Sequence, residues 1–154
     1  LAVTGVATVA AGSGNDITLD VGTNNFTTVV ITNGNNVALV DANALILGAS
    51  TVSGTLGVTT SGAITDSGAL AVTGVTTLAA GSAHDITLDV GTNNFPTAVI
   101  TTGNNLPPVH ADQLLLRVSA RTSTPKYTTS RSLPAPATLP RSVLPVVAVG
   151  PRWP

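Results

Sequence analysis

Residues 1–36, LAVTGVATVAAGSGNDITLDVGTNNFTTVVITNGNN, return 69 positions later as LAVTGVTTLAAGSAHDITLDVGTNNFPTAVITTGNN at residues 70–105, with 29 of 36 positions identical. A fixed period of this kind decides the architecture before local propensity does, because each unit must bury its apolar face against the next. The seven differences are small ones, such as Ala7 against Thr76 and Val9 against Leu78. Asn15 against His84 is the most polar, so a site built on His84 would be missing from the first copy.

Within one repeat a looser echo runs through GNDITLD (14–20), GNNVALV (34–40) and SGAITD (61–66). Their apolar starts, Ile17, Val37 and Ile64, with Ile86 opening the next copy, are unequally spaced, the middle interval being the longest. Three coils per repeat, or about 23 residues per coil, fall within the range of solenoid proteins. Val, Ile and Thr dominate these segments, whereas the strong helix formers Glu, Lys, Gln and Met are missing from residues 1–105; the composition selects strands over helices. Period-two alternation agrees: Ile17, Leu19 and Val21 should face one way and Thr18 and Asp20 the other, while Leu56 and Val58 alternate with Thr55, Gly57 and Thr59. Between the strands lie GSGND, GTNN, NGNN, TSG and DSG, turn sequences in which Gly tolerates positive φ and Asn or Asp bonds to nearby backbone.

Short strands, tight corners and aliphatic inward positions describe a parallel β-helix, with roughly 6.7 coils stacked at about 4.8 Å into a rod on the order of 30 Å long. Like copies should stack on like: Asn24 and Asn25 with Asn93 and Asn94 as corner amide ladders, and Phe26 and Phe95 at one shared corner. The open ends of such a rod expose strand edges, and uncharged segments such as TTVVIT (27–32) favour self-association.

The segments LAVTGVTTLAAGSAHDITLDVGTNNF and GNNVALVDANALILGASTVSGTLGVTTSGAITDSGALAVTG resemble the repeat region of filamentous-haemagglutinin-type exoproteins and related bacterial surface adhesins. The resemblance covers residues 1–105. It implies an all-β, right-handed parallel β-helix (β-solenoid) within a very large secreted protein. Export would run through a partner pore or as an autotransporter passenger, and the rod would act as a stalk or adhesive surface. The implied place is extracellular, at the bacterial cell surface. The implied partners are a host-cell or surface glycan or protein receptor and neighbouring repeats of the same parent. A chain that opens mid-pattern at Leu1 reads as an internal fragment of such a protein. No functional residue is carried over.

Composition breaks at Asn105. Residues 1–105 hold six Asp and no Lys or Arg; residues 106–154 hold all six basic residues, Asp112 and nine of the ten Pro. Because Pro cannot donate to a strand ladder, the regular stack should stop near Leu106, leaving residues 106–154 as a degenerate repeat or an irregular Pro/Arg-rich tail. The 69-residue offset persists there in Leu45/Leu114, Leu47/Leu116 and Ser50/Ser119, among 9 matches over the 22 positions from 40 to 61. Five Arg and one Lys spread over the tail are too sparse for a phosphate-tracking surface, so no nucleic-acid partner is expected.

Candidate chemistry is thin. Only 8% of residues are charged and there is no Cys, which excludes disulfides and thiol catalysis. Asp16 and Asp20, repeated as Asp85 and Asp89, invite a calcium ladder, but the Gly-Gly-x-Gly-x-Asp nonapeptide is missing and two carboxylates per repeat are few for a six- to eight-coordinate ion. They read as solvated strand-face carboxylates. His84 and Asp85, with Ser82 or Thr87 as an imagined nucleophile, would point to opposite strand faces, and His110 beside Asp112 offers no more. Gly12 to Gly14 has neither dinucleotide-fingerprint spacing nor a nearby Lys. Asn25 satisfies a glycosylation sequon, whereas its counterpart Asn94 is followed by Phe95-Pro96 and does not. The longest low-polarity stretch, Val37 to Ser50, is too short for a membrane helix, and 3% aromatics cannot supply the girdles of a membrane barrel. The expectation is a chain with no catalytic, cofactor-binding or metal-binding residues. A glycan- or small-ligand-binding solenoid is the alternative; a polysaccharide-acting β-helix enzyme or an ice-binding solenoid fits less well.

Overall fold

A computed structural model describes residues 1–104 and the backbone of residues 115–118. The chain winds into about five turns of parallel β-solenoid, with no helix among the described residues. One face carries β1 (Ala2–Ala10), β3 (Asn25–Asn33), β5 (Leu45–Leu47), β8 (Ile64–Asp66) and β11 (Ile86–Thr87). A second carries β2 (Ile17–Leu19), β4 (Val37–Asp41), β7 (Leu56–Thr60), β10 (Val75–Ala79), β12 (Thr97–Thr102) and β13 (Leu115–Val118). A narrow third face consists of β6 (Ser50–Val52) and β9 (Leu70–Val72), extended by single bridges from Gly34 to Val52 and from Ala71 to Asn94. Every neighbouring pair of strands runs parallel, as a chain that always winds in one sense requires.

Alternation builds the core. Leu56 and Val58 are buried while Thr55 and Thr59 face solvent, as the sequence pattern requires. Registered neighbours stack inside the rod: Ile17 on Val37 and Val37 on Leu56 along the second face, Leu45 on Ile64 and Ile64 on Ile86 along the first. Five turns at about 4.8 Å give a described rod of about 24 Å.

The two sequence copies build the same local coil. Ala2 pairs with Asn25 and Ala71 with Asn94; Val6 with Thr28 and Val75 with Thr97; Val9 with Ile31 and Leu78 with Ile100. Even the register slips recur, after Val9 and after Leu78. Gly12 and Gly81 adopt positive φ, 91° and 77°, in equivalent turns closed by the Asn15 and His84 amides donating to their carbonyls. Two of the seven substitutions form a registered pair: Ala7 faces Val29 in one copy and Thr76 faces Ala98 in the other, which keeps the summed side-chain volume across the ladder nearly constant. Thr27 and Pro96 occupy the position opposite the two-residue bulges Thr4-Gly5 and Thr73-Gly74, where a proline is tolerated.

The copies nevertheless lie on different faces. Turns differ in length: Thr28 is registered with Ile46, a sequence separation of 18, whereas Ala2 is registered with Asn25, a separation of 23. Along the second face the ladder runs Ile17, Val37, Leu56, Thr76, Ala98, so the counterpart of Ile17, Ile86, falls between two rungs and sits on the first face. The repeat thus spans about three and a half turns, not three. Val37 and Ile64, taken as equivalent coil starts, belong to opposite ladders, because both faces use the same aliphatic chemistry and only corner length separates them.

Several expectations change with this phase. Asn24 does not stack on Asn93, nor Phe26 on Phe95: the first of each pair sits at the entry to β3, the second beside the third-face bridge at Asn94. Val21 is exposed rather than inward, because β2 ends at Leu19 and the chain turns there, with the Asn24 backbone amide donating to Val21 O at 2.9 Å. TTVVIT is no edge: it lies in β3, paired with β1 on one side and β5 on the other. The stack does not stop at Leu106 either. The proline-free run of β13 pairs with β12, Thr97 to Leu115, in the same short step that joins Thr28 to Ile46. The remaining expectations for 106–154 fall outside the described residues.

Candidate functional site

Of the four aspartates weighed as ligands, Asp16 and Asp85 are used by the corners. Asp16 precedes β2, and its Oδ1 accepts from the Asn36 backbone amide at 3.0 Å, the Asn36 side chain at 3.0 Å and the Asn35 side chain at 3.1 Å, all on the next turn. The backbone bond from Asn36, helped by the two side-chain amides, holds the Asp16 carboxyl below the ordinary aspartate value against a weaker opposing effect of burial. Asp85 repeats the contact, accepting from Asn104 Nδ2 at 3.1 Å. Asp66 takes the amides of Asp89 and Val90 and the Asn93 side chain. Asp41, fully buried, accepts from Phe26 N at 2.7 Å and Asn43 N at 2.9 Å. Asp20 and Asp89 face solvent.

Asp16, Asp41, Asp66 and Asp85 therefore tie one turn to the next, a role richer than the solvated one, whereas Asp20 and Asp89 are solvated as expected. The signal was present in the sequence: Asp16 stands at separations of 19 and 20 from Asn35 and Asn36, and Asp85 at 19 from Asn104. That spacing is one turn, legible only once the turn length is known. Among the described residues no group of three His, Asp or Glu side chains is placed to hold a metal ion.

His84 lies in the bend before β11, exposed, with its carbonyl accepting from Asn104 N at 2.8 Å. Ser82 is exposed and Thr87 half-buried. Gly12 to Gly14 form part of the positive-φ turn, and Asn25 opens β3 with its backbone amide on Leu1 O at 2.7 Å. His110 and Asp112 lie outside the described residues.

Paired asparagines close corners alongside the aspartates. Asn24 Oδ1 accepts from the Leu1 amino group at 2.8 Å, and Asn93 Oδ1 accepts from Leu70 N at 2.9 Å. Both amides are buried, and they serve the same chain position on two different faces.

A shallow groove of about 370 Å³ lies on the third face. Its floor is Val52 and Val72; its outward lining is Thr51, Ser53, Ala71, Thr73, Asn94 and Pro96. The hydroxyls of Thr51, Ser53 and Thr73 and the Asn94 amide can hydrogen-bond a neutral polar molecule, and the methyl groups beside them can pack against it; none of the lining side chains carries a charge.

Comparison with known proteins matches residues 1–33 and 34–102 to a family described as repeats of unknown function (DUF5649). The chain belongs to that family. The second match has the length of the sequence repeat, and residues 1–33 correspond position by position to its closing segment, 70–102. A DUF5649 unit thus comprises a 34–69 half and a 70–102 half, about three and a half turns in all. No curated protein and no solved structure matches the chain.

Proposed function

We propose that the chain is a non-catalytic structural and adhesive repeat segment of a large secreted bacterial surface protein of the filamentous-haemagglutinin type, acting outside the cell as a length of rod. The observation that carries this reading is the recurrence of the coil: two copies reproduce the same registers and the same bulges on different faces. A site needs one constellation in one orientation, whereas a spacer needs only that every turn stack on the next. Repetition here preserves stacking contacts, namely the Asn24 and Asn93 caps and the Asp16 and Asp85 clamps. Resemblance to adhesin repeats supplies the surface location and the receptor partner.

A glycan-binding solenoid is the second reading, favoured by the neutral, hydroxyl-lined groove on the third face. The experiment that tests the first is a series of tandem arrays of the 69-residue unit examined by small-angle scattering. Each added unit should lengthen the rod by about 17 Å, three and a half turns at about 4.8 Å, at constant cross-section. Arrays that grow in width instead would overturn the rod. Glycan-array binding abolished by Thr51→Val with Thr73→Val, and retained with substitutions on the other two faces, would shift the assignment to the second reading.

A further inference from the structure

The first turn ends in an uncovered strand whose sequence twin is covered. β1 pairs with β3 on one side only, whereas its counterpart Leu70–Ala79 lies between two neighbours. The contrast in burial is direct: Leu1 is 69% exposed and Leu70 is 1% exposed. What covers the twin is the segment Ser50 to Thr59, in the register Ser50 on Leu70, Val52 on Val72, Leu56 on Thr76 and Thr59 on Ala79. The bulge amides complete the contact, with Thr73 N donating to Val52 O at 3.0 Å and Gly74 N to Gly54 O at 2.8 Å.

A glycine gives the second, independent sign. A Cβ on Gly74 would lie 2.6 Å from Gly54 O and 2.9 Å from Gly54 C, backbone atoms that cannot step aside. Gly5 is the same residue in the first copy, yet a Cβ there would meet nothing within 4 Å. Neither glycine has positive φ. The described coil does not require glycine at position 5; a covering strand does.

We propose that the free edge of β1 is a docking site for a coil of the 34–69 sequence type, delivered in cis as the preceding half of a DUF5649 unit. It would set the equivalents of Ser50, Val52, Leu56 and Thr59 against Leu1, Val3, Ala7 and Ala10. The cis source is favoured because in this chain the covering strand reaches its partner through the contiguous turn 61–69, and because Ser50–Thr59 of a second copy is already occupied by its own Leu70–Ala79. The inference rests on coil geometry and stands whether or not the rod is adhesive.

The test joins a copy of residues 34–69 ahead of Leu1 in the full chain and follows amide exchange by NMR. The Thr4 and Gly5 amides, fast in the unextended chain, should slow to the rates of Thr73 and Gly74, their near-identical internal references. Gly5→Ala should leave the unextended chain no less stable and abolish the protection in the extended one. Unchanged fast exchange at Thr4 and Gly5 in the extended chain would overturn the proposal. So would concentration-dependent protection of the same amides in the unextended chain, which would assign the edge to a second molecule.

Discussion

Thr76→Val should stabilise the protein. Thr76 is fully buried in β10, registered between Leu56 and Ala98, and its Oγ1 is the one buried side-chain oxygen among the described residues with no hydrogen-bond partner. A hydroxyl taken from water without a replacement bond costs about 1–3 kcal/mol. Valine has nearly the same shape and volume, so the exchange removes that cost without opening a cavity. With a urea m-value of about 1–3 kcal/mol/M, a gain of about 1 kcal/mol moves the midpoint by roughly 0.3–1 M. Far-UV circular dichroism on the full chain reads this directly. Thr60→Val is the matched control: that residue is also buried, but its hydroxyl donates to Gly62 O, so its loss should lower stability by about 0.5–1.5 kcal/mol. A midpoint for Thr76→Val that stays put or falls, at unchanged m-value, would refute the argument, since the hydroxyl would then have a partner that balances its burial.

Asn93→Ala should cost about 1–3 kcal/mol, because it leaves the buried Leu70 amide without its acceptor and removes a donor to Asp66; Asn24→Ala should cost less, since its partner is the part-buried Leu1 amino group. Paired urea titrations compare the two. Gly62→Ala should destabilise by about 1–3 kcal/mol, as its Cβ would sit 2.5 Å from Ala44 N, whereas Gly57→Ala, whose closest contact is 3.8 Å, should be tolerated in a thermal melt. The Asp16 carboxyl is lowered in the fold, so its contribution is present above the unfolded aspartate value and is lost as pH falls through the lower folded one. Asp16→Asn should flatten the acid limb of the stability profile, measured as the urea midpoint against pH.

Strand chemistry, corner chemistry and the parallel coil were legible from residue types alone, because Val, Ile and Thr runs punctuated by Gly and Asn admit few other folds. Leu56 and Val58 read correctly as inward residues. Val21 did not, because an alternation pattern cannot tell where a strand stops, and the capping amide of Asn24 ends β2 at Leu19. Asp16 and Asp85 were read as solvated strand-face carboxylates, as Asp20 and Asp89 are, since their partners lie about a full turn away in sequence, a relation invisible until the turn length is fixed.

By itself the sequence determined the class of fold and the identity of the coil, since 29 shared positions in 36 give both copies the same strand register wherever the copy lies. Only the tertiary structure decided the phase. Each turn closes where corner length and core packing together allow, sooner from Thr28 to Ile46 than from Ala2 to Asn25, and these unequal closures carry the sequence period to a different face. Periodicity in sequence counts residues, whereas stacking counts turns, and the two agree only when every corner has the same length.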